Sequence, residues 1–426
     1  MKKASIIGGG LAGSEAAYYL LKKGYEVTLF EARPFYKDEA HHSSNLGELV
    51  CSNSLKSKRL DNACGLLKEE IKHMGSIIME ASSSCEVPSG NALSVDRDKF
   101  SSYISNRLSS FKSFHLERKE ITALPNENVI LSTGPLTSPC LLEDLKKVVG
   151  KDNLSFFDAS APIVKKQSID FNKAYFKSRY EQDDSSYINC PFTKNEYYVF
   201  VKELLNGKKA ILHSFDTKYF EGCLPIEVIA SRGMETLRHG PLKPFGLEKE
   251  GERPYAVVQL RQDDYLGDYY NLVGFQTNLT YPEQKRVFSL IPGLENAEFI
   301  KYGLMHRNSY IDSPDCLNLD LSLKNKNNVF VGGQLCGVEG YVESAASGLI
   351  AAISFDKRIK GDDFVLPPKN TIIGALLNYV LFSSSSYFSP MNANWALLPF
   401  VNKHNKEEAI ATSLNEIEKY YEKMLH

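Results

Sequence analysis

The sequence predicts an α/β protein in which a Rossmann-like domain is interrupted by a strand-rich insertion. Three observations support this prediction. Residues 4–31 read as a strand, a glycine turn, a helix and a second strand, the unit of a right-handed parallel crossover. A further strand, followed by a Gly-Gly turn and a small-residue helix, occurs between residues 328 and 353. Short apolar runs separated by turn residues fill the middle of the chain.

Each element of the opening unit has its own local signal. Residues 4–7 are small and apolar, as in a buried strand, and after the glycine turn apolar residues recur at helical spacing. Gly24 closes that helix. Residues 25–30 then predict a second strand, which ends at Glu31.

The other end of the chain repeats this arrangement. Residues 329–331 predict a strand, and a helix rich in small residues begins near Val342. Because both ends carry the same kind of unit, we expect one discontinuous domain made of residues 1–190 and 300–426. The middle, residues 191–299, is then an inserted α+β domain that contributes to substrate binding.

Composition narrows the classes of protein. The 426 residues are 43% hydrophobic and 24% charged, which is ordinary for two or three globular domains and argues against wholesale disorder. A net charge of -2 argues against a globally basic nucleic-acid binder but leaves local basic patches open. No apolar run reaches the length of a membrane span, and glycines interrupt the only stretch that resembles a signal peptide. We therefore expect a cytoplasmic protein with no membrane association.

The turn after the first strand carries the spacing Gly8-x-Gly10-x-x-Gly13. Its glycines permit a tight turn and close backbone approach, and the helix N-terminus offers free N–H groups to a pyrophosphate. Glu31, at the end of the second strand, is placed to accept a hydrogen bond from a ribose hydroxyl. The predicted dinucleotide site consists of Gly8, Gly9, Gly10, Leu11, Ala12, Gly13 and Glu31.

The second glycine turn bears on which dinucleotide is bound. A fingerprint at the N-terminus, with a distant Gly-Gly turn that closes over the rest of the cofactor, is the layout of FAD proteins of the glutathione-reductase type. We expect Gly332, Gly333 and Gln334 to lie near a flavin. The alternative is a purely structural turn in the parallel sheet.

The eight cysteines contain no CxxC pair. The sequence therefore lacks the dithiol of flavin disulfide reductases and the knuckles of a zinc site, and we predict no metal. Cys51 lies in a polar stretch, and Cys223 lies between Gly222 and Pro225 in a loop able to expose a thiol. These two are the predicted catalytic cysteines, and an inert thiol is the alternative for each.

Several stretches, in order along nearly the whole chain, resemble those of one protein family. They are IIGGGLAGSEAA (6–17), ELVCSNSLKS (48–57), YINCPFTKNEY (187–197), FEGCLPIEVIASRGMETLRHGPLKPFGL (220–247), YAVVQLRQDD (255–264), VGFQTNLTYPEQKRVFSLIPGLENAEFIKYGLMHRNSYIDSP (273–314), GVEGYVESAASG (337–348) and PMNANWALLP (390–399). The family is that of the folate- and FAD-dependent tRNA (uracil-C5)-methyltransferases, TrmFO, which are related to the GidA flavoproteins. Cys336, Tyr281 and His239 stand where the family pattern has Thr, Trp and Phe.

The resemblance implies a reaction. A one-carbon unit passes from 5,10-methylenetetrahydrofolate, through reduced flavin, to C5 of the uridine at position 54 in the T-loop of tRNA, and NADPH or NADH reduces the flavin. Cys223 matches the family's nucleophile. Cys51 matches its second functional cysteine near the flavin, either a base for the C5 proton or a guard of the flavin. Uracil C5 is a poor nucleophile, and a thiolate that adds to C6 activates it, which explains the need for a cysteine.

The resemblance also implies tRNA, through its T-arm, and folate as partners, and we expect no stable protein partner. Because an unstacked base needs aromatic and arginine contacts, Arg261, His306, Arg307 and Tyr341 are predicted to line the folate and uridine sites. For His306 and Arg307 the alternative is a surface ion pair. Two other functions stay open: the same chemistry on a 23S rRNA uridine, and a flavin oxidoreductase that acts on a small molecule.

Overall fold

The first elements of the chain follow the predicted strand, turn, helix and strand. The computed structural model describes residues 2–36, 41–150, 154–155, 158–179, 187–209, 224–249, 251–262, 267–306, 309–384, 388, 390–399 and 405–425. The strand Lys3–Ile7 leads through the glycines into the helix Leu11–Lys22. Gly24 has a φ of 81°, a left-handed conformation that ends the helix, and the strand Glu26–Glu31 follows.

The strand Lys3–Ile7 lies inside a six-stranded sheet. Its strands, in spatial order, are Ser322–Leu323, Lys326–Val331, Val129–Leu131, Lys3–Ile7, Glu26–Glu31 and Phe114–Arg118. All neighbours are parallel except the first pair. The sequence thus predicted correctly that a strand near each end of the chain enters one parallel sheet, as in Rossmann-type FAD-binding proteins.

Helices pack around this sheet and share one hydrophobic core with it. The helices Leu11–Lys22 and Tyr341–Lys360 lie against each other, and Gly348 permits the contact because a Cβ there would lie 2.4 Å from the carbonyl oxygen of Ala12. The other helices are Ala63–His73, Ile77–Ser84, Arg97–Ser109, Pro139–Val149, Ser313–Cys316, Ile372–Phe382 and Lys406–Leu425. The last of these is a surface helix that buries only one face, which includes Ile417 and Met424.

A second six-stranded sheet is antiparallel and has its own core. Its strands, in spatial order, are Tyr175–Phe176, Tyr187–Phe192, Ala256–Gln262, Tyr269–Leu272, Ile163–Lys165 and Phe299–Lys301. The helices that accompany it are Lys194–Asn206, Ile226–Ser231, Thr236–His239 and Tyr281–Phe288. The strand-rich middle predicted from short apolar runs is therefore present; one such run, Ile211-Leu212, lies outside the described residues.

The chain passes between the two sheets in paired ribbons. Asp158–Ser160 pairs with Leu304–His306, and Leu154–Ser155 pairs with Tyr310–Ile311, both antiparallel. The predicted boundary at residue 190 falls inside the strand Tyr187–Phe192. We therefore propose that the inserted unit spans about residues 162–303.

A small three-stranded sheet completes the fold, with strands Ser54–Ser57, Ala92–Val95 and Glu86–Val87. It follows directly on the polar stretch that contains Cys51. Within the part of the chain that the structure describes, no helix is both long and apolar enough to cross a membrane.

Candidate functional site

A deep cleft opens at the carboxyl ends of the central parallel strands. Ile7, Leu131 and Val331 are paired neighbours at these ends, and each is followed by a turn. Two of these turns, Gly8–Gly10 and Ser132–Ser138, line the cleft, whose space measures about 1100 Å³ when its open mouth is included. In an open parallel sheet this edge is where ligands bind, so the fold positions a large site here.

The glycines of the first turn serve two purposes. A Cβ at Gly13 would lie 1.9 Å from the carbonyl oxygen of Gly8, so the third glycine permits the helix to pack on the strand end. A Cβ at Gly10 would meet nothing within 4 Å, so this position faces open space in the cleft. No side chain caps the N-terminus of the helix at Gly10, which leaves its first N–H groups available to an anion.

Glu31 is tied to the same turn. Its Oε2 accepts a hydrogen bond of 2.9 Å from the Gly9 N–H, and its Oε1 accepts from the backbone and the Nε of Arg33. Burial disfavours the charge, but the hydrogen bonds and the charge of Arg33 outweigh it, so the pKa of Glu31 lies below its usual range. Each carboxylate oxygen has two lone pairs, so Oε2 can accept a further donor from a ligand.

Most of the predicted cofactor residues meet in this cleft. Those that line it are Gly8, Gly9, Gly10, Leu11, Ala12, Glu31, Gly333 and Gln334. Gly13 and Gly332 do not line it: Gly13 contacts Gly8, and Gly332 lies against Gly348 of the facing helix. These two glycines allow close packing of the backbone. The spacing of the motif alone does not show which of its glycines pack in this way and which contact a ligand.

A second cavity, of about 1270 Å³ when its open mouth is included in the same way, adjoins the first. Cys51, Arg261 and Tyr341 line it, and Gln334 and Tyr341 line both spaces. Three residues that the sequence predicted separately, from distant segments, are thus brought together where the two cavities meet.

The loop that carries Cys51 is fixed between the two units of the molecule. Lys301 donates to the carbonyl oxygen of Val50 (3.1 Å), and Arg261 donates to the hydroxyl of Ser52 (2.7 Å). The buried side chain of Asn53 donates to the carbonyl oxygen of Gln262 (2.9 Å). These donors and acceptors belong to the antiparallel unit, so the position of the thiol depends on both units.

Tyr341 contacts the same loop from the other side. It is the first residue of the helix Tyr341–Lys360, after Gly340, whose φ of 119° suits glycine. Its Oη lies 3.0 Å from the Sγ of Cys51 and accepts the backbone N–H groups of Cys51 (2.9 Å) and Ser52 (3.0 Å). Burial, and then the neighbouring Cys51, raise the pKa of Tyr341 well above its ordinary value, so the ring keeps its proton at neutral pH.

Other residues of the two cavities escaped the sequence analysis. Arg33 and Lys119 line the cleft, and the ion pair between Lys56 and the buried Glu343 (3.1 Å) lines the second cavity. No local pattern marks these charges. The segment 132–138 does carry a signal, because polar residues directly after a buried parallel strand lie at the edge where ligands bind.

Two predicted residues, Cys223 and Arg307, lie outside the described residues. The backbone of His306 pairs with Asp158 in the ribbon between the units. The proposals for these three residues therefore stay predictions.

The cleft fits FAD. A cradle of backbone N–H groups with an open position at Gly10 suits a pyrophosphate, and the Glu31 carboxylate suits a ribose. The Gly-Gly turn after the strand Lys326–Val331 lines the cleft through Gly333 and Gln334. Fold and site together define a Rossmann-type FAD-binding protein.

Comparison with known proteins narrows this class. Residues 3–363 match the family described as Glucose inhibited division protein A. The crystal structure of GidA from Aquifex aeolicus has the same fold, with a TM-score of 0.71 at 16% identity, over 99% of this chain and 73% of that one.

Two curated relatives are much more similar in sequence. Each is named methylenetetrahydrofolate–tRNA-(uracil-5-)-methyltransferase TrmFO. The protein from Lactobacillus johnsonii is 51% identical over 96% of this chain and 94% of its own length. That from Listeria monocytogenes is 47% identical over 99% of this chain and 100% of its own. The chain belongs to the TrmFO family.

Proposed function

We propose that this protein is a methylenetetrahydrofolate- and FAD-dependent tRNA (uracil-5-)-methyltransferase. The observation that carries the proposal is an identity of about one half to curated enzymes of that name along almost the entire chain. The joined cavities agree with it, because a cleft suited to a dinucleotide opens into a space bordered by a cysteine.

When bound, FAD supplies the redox chemistry that converts a one-carbon unit at the oxidation level of methylene into a methyl group. The chain's part is to hold it: the N–H groups after Gly10 receive the pyrophosphate, and Glu31 receives a ribose hydroxyl. Gly333 and Gln334 border the flavin end of the site, next to the second cavity.

We assign the second cavity to the reacting base and the folate. Arg261 and Tyr341 offer a guanidinium and an aromatic ring on its wall, the groups that receive an unstacked base. His306 and Arg307 belong to the same proposal. We propose Cys223 as the nucleophile at C6 of uracil, and Cys51 as either the base for the C5 proton or a guard of the flavin.

We also propose that the target is the uridine at position 54 in the T-arm of tRNA, and that NADPH or NADH is the reductant. The sequence contains no second dinucleotide fingerprint after a clear strand, so we propose that the reductant binds transiently over the flavin. We place the reaction in the cytoplasm, in keeping with the free thiols of the seven described cysteines, and without a stable protein partner.

The test is transfer of label from methylene-labelled methylenetetrahydrofolate to unmodified tRNA with FAD and NADPH. Labelled S-adenosylmethionine serves as the competing donor and rRNA fragments as the competing acceptor. We expect 5-methyluridine in the T-loop, with label from folate only. Label found only in rRNA would overturn the substrate, and no transfer to either RNA by a flavin-loaded, reducible protein would favour a small-molecule oxidoreductase.

A further inference from the structure

The hydroxyl of Tyr341 has three neighbours in the loop that carries Cys51. Two are backbone N–H groups, those of Cys51 at 2.9 Å and Ser52 at 3.0 Å. The third is the Sγ of Cys51 at 3.0 Å. The geometry alone leaves open which of the last pair, O–H or S–H, is the donor.

Counting lone pairs decides this. A phenolic oxygen has one hydrogen to donate and at most two lone pairs to accept with. The N–H groups of Cys51 and Ser52 occupy both lone pairs, because an N–H can only donate. An S–H aimed at Tyr341 would find no acceptor, so the hydroxyl donates to the sulfur.

A sulfur that accepts this hydrogen bond is favoured as a thiolate, because hydrogen bonds to a charged acceptor are about twice as strong as those to a neutral one. Charged side chains of the described residues that contact the loop or line the cavity include four cations and three carboxylates: Arg97, Arg261, Lys301, Lys56, Glu343, Glu339 and Glu48. Three of the cations donate directly to the loop, to Leu49, Val50 and Ser52. Each carboxylate is engaged by a partner: Glu343 by Lys56, Glu48 by Arg33, and Glu339 by Gln334.

We propose that Tyr341 is a positioning residue, whose hydroxyl holds the sulfur of Cys51 as a thiolate directed at the second cavity. A thiolate can receive a proton and a thiol cannot, so this state prepares Cys51 to act as a base. Only that use of the thiolate rests on the proposed function; the ionisation of Cys51 is a property of the protein without folate or RNA.

The experiment measures alkylation of Cys51 by iodoacetamide in the FAD-loaded protein between about pH 5.5 and about pH 10. Mass spectrometry of the peptide that contains Cys51 separates it from the other thiols. Alkylation follows the thiolate fraction, so we expect a midpoint below about 8.5, the value of an ordinary cysteine. In Tyr341→Phe, which keeps the ring, the midpoint moves up by about one to two pH units.

Tyr198→Phe is the matched control. It also removes a hydroxyl that is hydrogen-bonded, to Glu235, but in the antiparallel unit away from the loop, so the midpoint of Cys51 stays at that of the unmodified protein. If Tyr341 only packs against the loop, Tyr341→Phe changes the rate of Cys51 alkylation at every pH but leaves the midpoint in place. That result would overturn the proposal. A midpoint at or above about 8.5 in the unmodified protein overturns it even if the variant does not fold. The methyl-transfer assay gives its result independently, so failure of this proposal and failure of the proposed function can be distinguished.

Discussion

Gly10 is the position of the fingerprint at which a methyl group enters open space rather than protein. Gly10→Ala is therefore expected to leave the fold intact, with a free energy of unfolding within about 1 kcal/mol of the original. With the pyrophosphate bound at this turn as proposed, the added methyl group takes up part of its space, so we expect FAD content to fall about tenfold or more. Flavin absorbance per mole of purified protein and urea unfolding of the flavin-free form measure the two effects.

The control for this prediction is Gly240→Ala in the antiparallel unit. Gly240 has a negative φ of -118°, and a Cβ there would come no closer than 3.4 Å to its neighbours. Its flavin content stays at that of the unmodified protein. Equal flavin content in Gly10→Ala and Gly240→Ala would contradict the assignment of the cleft.

For Cys223 we predict a loss of methyl transfer without a loss of bound flavin. Cys223→Ala removes the proposed nucleophile and none of the residues proposed to hold FAD, so methyl transfer to tRNA is expected to fall by about 10³-fold or more while flavin content stays normal. Cys140→Ala, at an exposed thiol, keeps full transfer. Transfer assays with labelled folate distinguish the two, and equal activity of both variants would end the assignment.

At the scale of secondary-structure elements, a buried carboxylate joins three helices. Glu70, on the helix Ala63–His73, accepts the N–H groups of Ile372 (2.7 Å) and Ile373 (2.9 Å), which begin another helix, and the hydroxyl of Ser413 on a third. Glu70→Ala leaves these donors without an acceptor and lowers the free energy of unfolding by about 3 kcal/mol. Its neighbour Glu69, a partly exposed carboxylate paired with Lys72, provides the control: Glu69→Ala changes the free energy of unfolding by less than about 0.5 kcal/mol in urea unfolding.

Glu70 also makes the stability of the folded protein depend on pH. Burial raises the pKa of Glu70 to about 7, above the value of 4.5 in an unfolded chain. A group whose pKa is raised by folding stabilises the native state below 4.5 and loses that contribution as pH rises through 7. Stability therefore declines between about pH 4.5 and about pH 7. Glu70→Gln reduces the decline, and Glu15, whose pKa burial also raises to about 7, causes the part that is left. Thermal unfolding at several pH values tests this, and an undiminished slope in Glu70→Gln would contradict it.

Sequence patterns predicted these elements well where the pattern is local. The strand Lys3–Ile7, the helix after it and the strand Lys326–Val331 follow from apolar periodicity and glycine stops. The acceptor role of Glu70 has no such signal, because its partners lie about 300 residues away in the chain. The start of the inserted unit was also hidden, since Tyr187–Phe192 shows only that it is a strand and not which sheet it joins.

At the scale of the whole molecule, Asn53 connects the two units. It donates to Val95 on its own side and to Gln262 on the other, and it accepts from Asn271 (3.3 Å). Asn53→Ala is expected to lower the free energy of unfolding by about 2 kcal/mol and to speed hydrogen exchange in the strand Ala256–Gln262. Asn172→Ala, which removes an exposed amide that contacts only its own turn, serves as control. Exchange rates that do not differ between the two variants would show that Asn53 does not hold the units together.

The cavity between the units shows why candidate residues could be predicted from the sequence while their common site could not. Side-chain chemistry and the family resemblance indicate Cys51, Arg261 and Tyr341, each within its own segment. Their common location depends on where an antiparallel sheet docks beside a parallel one. That docking is determined by contacts such as Arg261 with Ser52 and Lys301 with Val50, which no local pattern records.

The ribbon between the two units has a consequence for how such a molecule can be rebuilt. Ser160 and Leu304 are direct partners across two antiparallel strands, so the inserted unit leaves the host chain almost at the point where it entered. A two-residue turn between them would close an ordinary hairpin and omit everything in between. With the insert bounded as proposed, the dinucleotide-binding part is arranged as a module, and a different insert could be grafted onto the same two strands without altering the order of the parallel sheet.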